Sequence, residues 1–309
     1  GIEFNIADIL EGEVEYYNKT TKDMLFLKQV SPSLGYAQYP VNDGKMVNKG
    51  LEFSLVAHLV KTNDISLDLR VNGGHYKNKM TQMPMDDTTG KEKPLEIQGA
   101  YGWSKGHSLY DFYIREYAGV DPETGKPLWY LNETGNETTS NYNDAAKRYV
   151  GDADPDVLGG FGTNLTWKDI DFGLTFNYRL GASFTGFGMA FRTPLEDVAL
   201  NSWTEDNKNA KYPQYIYSDP YNATATSSRF LYSGNYLRIS NLTLGYTLPK
   251  KWTEKAFIQK LRAYISVDNL YTFTASDFVG YNPETSANGV IAWQYPATRT
   301  FIGGIQLTF

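Results

Sequence analysis

Apolar and polar residues alternate with a two-residue period along most of this chain. From Leu51 to Leu59 the odd positions are Leu51, Phe53, Leu55, Ala57 and Leu59, whereas the even ones are Glu52, Ser54, Val56 and His58. Successive side chains of a strand point to opposite faces, so this spacing predicts a strand with one apolar and one mostly polar face. After Lys61-Thr62-Asn63-Asp64 the pattern returns as Ile65, Leu67, Leu69 and Val71 against Ser66, Asp68, Arg70 and Asn72, which completes a hairpin. The charges of Asp68 and Arg70 require water on the second face.

The same grammar recurs at Phe172, Leu174, Phe176, Tyr178 and Leu180 opposite Asp171, Gly173, Thr175, Asn177 and Arg179, reached from Phe161–Trp167 through Lys168-Asp169-Ile170. From Leu261 the apolar set is Ala263, Ile265, Val267, Tyr271 and Phe273, interrupted at Asn269. Between Tyr236 and Leu248 the parity switches, from Leu237 and Ile239 to Leu242, Leu244, Tyr246 and Leu248, which predicts a bulge near Ser240-Asn241. With Ile2 to Asp8, Glu13 to Leu27, Leu109 to Tyr117, Leu128 to Leu131 and Thr298 to Phe309, the count is about eleven strands.

The connections carry a second signal. Turns near Ile9 to Glu11, Lys61 to Asp64, Gly119 to Pro127, Lys168 to Ile170 and Pro249 to Gln259 are short or moderate. Between them, Gln29 to Met46, Thr81 to Ser108, Asn132 to Val157, Ser183 to Asn235 and Ala275 to Ala297 are long and rich in Gly, Pro, Asn, Asp, Ser, Thr and Tyr. Compact soluble domains rarely carry several loops longer than ~15 residues. Outer-membrane barrels do, with short turns in the periplasm and long loops outside. In that phase the final alternation Phe301, Gly303, Ile305, Leu307, Phe309 ends at the periplasmic rim. The fold class is therefore all-β, a transmembrane antiparallel β-barrel.

Composition fits this and removes other classes. The 309 residues include 24 Tyr, 16 Phe, 6 Trp and 28 Gly, while mean hydropathy is −0.45. A polar yet aromatic chain suits strands with a lipid-facing side and a wetted back. No run approaches the ~18 apolar residues of a membrane helix. A net charge of −6 argues against nucleic acid, which needs a basic footprint. The lack of Cys removes disulfides, zinc-thiolate sites and thiol nucleophiles. Gly1 to Ile6 alternates like a strand and not like a signal peptide. About eleven strands lining a polar lumen without a plug cannot close a stable barrel. Residues 1–309 are thus expected to be the C-terminal half of a barrel whose plug and N-terminal strands lie elsewhere.

Several ordered segments carry a family resemblance. They are Tyr16-Tyr17-Asn18-Lys19-Thr20-Thr21-Lys22-Asp23-Met24-Leu25, Asn42-Asp43-Gly44, Asn48-Lys49-Gly50-Leu51-Glu52, Gly119-Val120-Asp121-Pro122-Glu123-Thr124-Gly125, and Gly151-Asp152 to Gly159-Gly160-Phe161. Leu237-Arg238-Ile239-Ser240-Asn241-Leu242-Thr243-Leu244-Gly245-Tyr246, Asp268-Asn269-Leu270-Tyr271-Thr272-Phe273-Thr274 and Tyr295-Pro296 to Thr300-Phe301 follow. Together they resemble the SusC/RagA family of TonB-dependent transporters from Bacteroidetes. Tyr281-Asn282-Pro283-Glu284 departs from it, with Asn282 where the family usually has Asp. The resemblance implies a 22-stranded barrel in the outer membrane, an N-terminal plug, a TonB-contacting segment and a SusD-like surface lipoprotein over the extracellular mouth. It implies nutrient import, oligosaccharide before peptide, with no cofactor and no catalysis. It also implies that the terminal strand, ending in Phe309, is the signal for barrel insertion.

Candidate chemistry beyond transport is thin. Asp152, Asp154 and Asp156 have the spacing of the first part of a calcium loop, but Val157 and Thr163 stand where an EF-hand needs Gly and Glu, so a solvated loop is the better reading. His58, His75 and His107 are the only histidines, and nothing local supplies the full set of nucleophile and orienting carboxylate that a barrel lipase or protease would need beside one. Gly73-Gly74 and Gly303-Gly304 lie inside strands, where they permit curvature or close approach. The long-loop aromatics say more: Tyr101 and Trp103, Trp203 with Tyr212, Tyr215 and Tyr217, and Trp293 with Tyr295. Flat rings lose little entropy on contact and suit stacking on sugars or gripping peptide side chains. Equally, they can meet the lipoprotein or pack the loops together.

Overall fold

A computed structural model describes residues 1–309 except 30–32, 34, 36–37, 88, 187–199, 279, 281, 285, 292–294 and 296. Four strands come first: β1 (Ile2–Ile6), β2 (Leu10–Gln29), β3 (Gln38–Lys61) and β4 (Ile65–Gln82). An excursion then holds β5 (Met85–Asp86), β6 (Lys91–Glu92), β7 (Glu96–Gln98), β8 (Tyr101–Trp103) and β9 (Asp111–Arg115). It continues through β10 (Tyr117–Val120), β11 (Pro127–Tyr130), β12 (Thr138–Thr139) and β13 (Lys147–Asp152). The hairpin β14 (Val157–Trp167) and β15 (Ile170–Leu180) follows, then β16 (Ser183–Thr185) and β17 (Leu231–Ser233) in a second excursion. Last come β18 (Tyr236–Thr247), β19 (Lys260–Thr274) and β20 (Thr300–Thr308).

Nine of these form one antiparallel meander in the order β1-β2-β3-β4-β14-β15-β18-β19-β20. Its register lines up rows across the wall. Leu55, Val71, Phe161, Phe176, Ile239 and Tyr271 lie opposite one another in turn. Nearer the short turns, Leu67, Leu165, Phe172, Leu244 and Ile265 do the same. The adjacent row on the other face reads Ser54, Asn72, Gly160, Asn177, Arg238 and Thr272. Leu51, Leu69, Ile265, Ile305 and Leu307 are exposed. Such apolar rows are stable only against hydrocarbon, while the polar row faces a wetted lumen.

Short turns cluster at one end, where Lys168 N–H donates to Asp64 O and Thr247 N–H to Asp169 O, both at 2.7 Å. The bulge falls where the parity switch put it. Ser240 is the extra residue against β15, and on the next strand Asn269 takes a left-handed φ of 53°, which Asn tolerates better than most residues. Trp167 and Tyr246 ring the turn end as interfacial aromatics.

Three expectations change. Leu109–Tyr117 and Leu128–Leu131 are not wall strands: β9 belongs to the small sheet β13-β9-β8-β7, and β11 to β10-β11-β12. Their apolar residues Phe112, Ile114 and Trp129 are buried among loop residues instead of facing lipid, so the wall has nine strands among the described residues, not about eleven. Gly119–Pro127 is accordingly a turn at the loop end, not a periplasmic one. Because two strands leave together, the alternation of short and long connections survives. Gln29–Met46 is also mostly strand, since pairing runs up to Gln29 opposite Gln38. There Asn42-Asp43-Gly44, which reads like a turn, is an irregularity within β3, with Gly44 at φ 77° near Asp23 at φ 54°. Beyond these changes, the long loops hold short sheets of their own. They interlock into a cap with its own core.

Candidate functional site

The cap stands over the end of the wall opposite the short turns, and three buried groups hold it. Phe26, Met80 and Met83 pack with Met24, Val41, Met46, Trp103 and Leu109, joining the tops of β2, β3 and β4 to the first excursion. Phe112, Ala153 and Phe184 are almost fully buried, with Phe184 against Tyr232 and Phe278 at ring distances of 5.6 Å. Trp129 is also fully buried, edge-on to Tyr142 at 5.3 Å. Arg115 lies over the Tyr142 ring at 4.2 Å, and Arg229 sits near Tyr117, Tyr212 and Phe230. Burial pushes the Arg229 guanidinium below its ordinary value, partly offset by the surrounding tyrosines.

Three of the candidate aromatics belong to this packing. The Tyr101 ring stacks on Phe112 at 5.3 Å while its hydroxyl donates to Asn288 O at 2.6 Å, and burial pushes it up to about 12. Trp103 donates from Nε1 to Leu109 O at 2.9 Å and meets Phe26 edge-on at 5.6 Å. Trp203 is buried, donates from Nε1 to Pro122 O at 2.9 Å, and lies so close over Gly125 that a Cβ there would come within 2.5 Å of its ring. Tyr215, Tyr217 and Tyr295 are different, at 71%, 93% and 97% exposed. Trp293 lies outside the described residues.

The last loop is tied to the wall by a residue that sequence reasoning did not single out. Arg238 on β18 is 7% exposed and donates from Nη1 to Glu284 Oε2 at 2.7 Å, from Nη2 to Asn282 Oδ1 at 2.5 Å and from Nε to Thr272 Oγ1 at 3.1 Å. Asn282, the departure from the family pattern, thus serves as a neutral acceptor beside the Glu284 charge. The same loop bonds across the second excursion through Thr185 N–H to Gly289 O at 2.7 Å and Ile291 N–H to Thr185 O at 3.1 Å. An Arg on the polar face of a strand, opposite Asn and Thr, was the available signal.

The aspartate run is built into the cap. Ser108 Oγ donates to Asp154 Oδ2 at 2.6 Å, and Asp154 N–H to Asp152 Oδ1 at 2.8 Å. Burial pushes the Asp152 carboxyl up to about 6, with the neighbouring carboxylates of Asp154, Asp111 and Asp156 adding to it. Among the described residues no group of three or more His, Cys, Asp or Glu is placed to hold a metal ion. The histidines bond to Asp68, to the Asp156 carbonyl and to Asp111, at 2.7, 2.5 and 2.6 Å for His58, His75 and His107. The Ser104 hydroxyl pairs with the Tyr149 hydroxyl at 2.7 Å.

A lipid-facing meander with a wetted inner face and a cap of interlocked loops defines an outer-membrane β-barrel wall. The family model for the TonB dependent receptor-like β-barrel matches residues 1–270, and the chain belongs to that family. Among curated relatives it is similar to TonB-dependent receptor P3 of Formosa agariphila, at 28% identity over 97% of this chain and 32% of the relative. It is also similar to TonB-dependent receptor SusC of Bacteroides thetaiotaomicron, at 24% over 100% of this chain and 31% of that one. Among solved structures, the RagAB peptide transporter superposes with a TM-score of 0.80 at 28% identity, covering 98% of this chain and 34% of that one. The open-open state of the RagAB peptide importer gives a TM-score of 0.82. The chain spans about a third of the length of the relatives it matches.

Proposed function

We propose that this chain forms the C-terminal part of the wall and mouth of a TonB-dependent importer that takes large nutrients across the outer membrane with a SusD-like surface lipoprotein as lid. In this reading the remaining strands of a 22-stranded barrel, the plug and the TonB contact are supplied by the rest of the protein. The observation that carries the reading is the likeness of wall and cap together to the RagAB transporter across 98% of the chain.

Oligosaccharide is the first substrate class, because exposed Tyr215, Tyr217 and Tyr295 offer flat apolar faces suited to sugar rings. Peptide is the second reading, favoured by the 28% identity to RagAB. Replacing a stacking ring by Ala typically removes about 1–3 kcal/mol, by analogy with base stacking, or roughly tenfold in affinity. Tyr215→Ala, Tyr217→Ala, Tyr295→Ala and Trp293→Ala in the full-length protein should weaken calorimetric binding of the nutrient if they touch substrate, and co-purification of the lipoprotein if they touch the lid. Unchanged affinity, lid recovery and growth in all four would remove the loop rings from the binding site. Uptake of a glycan mixture against a peptide mixture, in cells whose only such importer is this one, separates the two substrate classes.

A further inference from the structure

We infer that the outward face of β2, β3 and β4, just above the apolar belt, is a docking groove for the phosphorylated headgroup of an outer-leaflet glycolipid. The lipid-facing positions of β4 run Leu67, Leu69, Val71 and Gly73, and the same parity then continues as His75, Lys77 and Lys79. All three are exposed, whereas the alternate residue Met80 is buried in the cap core, so the basic side chains point away from the lumen. On β3 the outward set adds Lys49 directly opposite Lys77, and Lys45 opposite Lys22 of β2. Like charges in cross-strand pairs are destabilising unless a counter-charge answers them. Among the described residues, none of these five lysines is ion-paired.

The height is right for a headgroup. Lys49 stands twelve residues above Lys61 at the foot of β3 (61 − 49 = 12). At ~3.4 Å per residue and a tilt of ~40°, that is about 30 Å up, just past an apolar band of about 25 Å. A groove of about 500 Å³ lies there, walled by Tyr16, Val47 and Leu51 below and beside Lys49, Lys77 and Lys79. An acyl-bearing anion is what such a surface accepts: apolar contact at the belt, with ammonium groups at the level of the phosphates. His75 is held in place because its Nδ1–H donates to the Asp156 carbonyl at 2.5 Å. This surface points away from the transport path, so the inference is independent of which nutrient is carried.

The test uses full-length protein purified in detergent, with bis-phosphorylated lipid A, its fully dephosphorylated form and inorganic phosphate as probes, and bound lipid read by native mass spectrometry. The expected result is retention of the bis-phosphorylated form at least tenfold above the dephosphorylated one, and loss of that preference in Lys49→Gln/Lys77→Gln/Lys79→Gln. A control with the same charge change in the cap, Lys91→Gln/Lys105→Gln/Lys208→Gln, should keep it. Equal retention of both lipids by the unaltered protein overturns the inference without reference to any variant. So does an unchanged preference in the triple variant that still migrates as a folded barrel, or loss in both triples alike. Displacement of the lipid by millimolar phosphate would reassign the groove to free anions and overturn it too.

Discussion

Wall and cap use the same residues in opposite senses. In the wall, Phe161, Leu244 and Ile265 point outward and stay exposed in the chain alone, and each strand between the edges β1 and β20 is paired on both sides. In the cap, Phe112, Trp129 and Phe184 point inward and are buried to within 1% of full. One region borrows its apolar solvent from the bilayer, whereas the other makes its own from loops far apart in sequence. A wall residue therefore answers to the membrane and a cap residue to packing density.

That contrast can be broken in four places. The largest effect is expected in β20: deleting Phe309 from the full-length protein should sharply lower its outer-membrane levels by immunoblot of fractionated envelopes, and normal levels would deny Phe309 a part in insertion. Next, Trp129→Ala should cost the cap about 3–5 kcal/mol through the cavity it leaves. Hydrogen exchange should show that loss in 83–156 while the wall keeps its heat-resistant mobility on a gel; a wall that loosens equally would mean the two regions are one cooperative unit.

Smaller effects separate the faces. Leu174→Arg, midway up the lipid side of β15, should cost roughly 2–4 kcal/mol in a denaturant titration in bilayers, against less than about 1 kcal/mol for the lumen neighbour Thr175→Arg. Equal costs would overturn the face assignment. The smallest effect concerns Asp152, whose folded carboxyl titrates at about 6 against an ordinary 3.8. A raised carboxyl binds its proton more tightly in the folded cap, so its contribution is most favourable below pH 3.8 and is lost as pH rises through about 6. Asp152→Asn keeps an amide oxygen for the Asp154 N–H, so it should protect the cap better than Asp152 at pH 7.5 and no better at pH 3.5, read by proteolysis.

The wall was legible because all its strands but β1 run nine residues or more, and lipid enforces the two-residue period along them. Even the bulge at Ser240 showed, as a parity switch. The cap was not legible by the same rule, since its strands run from two to six residues. Leu109–Tyr117 alternates as well as a wall strand does, but its inward set, Phe112 and Ile114, is buried among loop residues that no local pattern announces. Likewise, aromatic content marked the loops as informative, yet only tertiary contacts separate Trp203, locked over Gly125, from Tyr217, which is 93% exposed. Lys77 and Lys79 were readable in principle: they continue the parity of Leu67, Leu69 and Val71, and a basic residue on that side belongs above the hydrocarbon.

The hairpin β2–β3 pairs from Leu10 opposite Ala57 up to Gln29 opposite Gln38, so thirteen residues of β3 (51 − 38 = 13) extend beyond Leu51 at the top of the belt. As far as Lys45 opposite Gln82 it is braced by β4, so only the last seven residues of β3 (45 − 38 = 7) pair with β2 alone, about 24 Å at ~3.4 Å each. A load on that end reaches the wall through the paired strands, and the pairing is interrupted on the way where Asp23 faces Gly44. At Gly44 the left-handed backbone kinks the hairpin, a Cβ there would come within 2.8 Å of Phe26, and the Asp43 carboxylate pins the site by accepting from Gly44 N–H at 2.7 Å and Met85 N–H at 2.8 Å. The upper hairpin is therefore a braced prop and not a free arm, and its lean is set by what packs against Phe26.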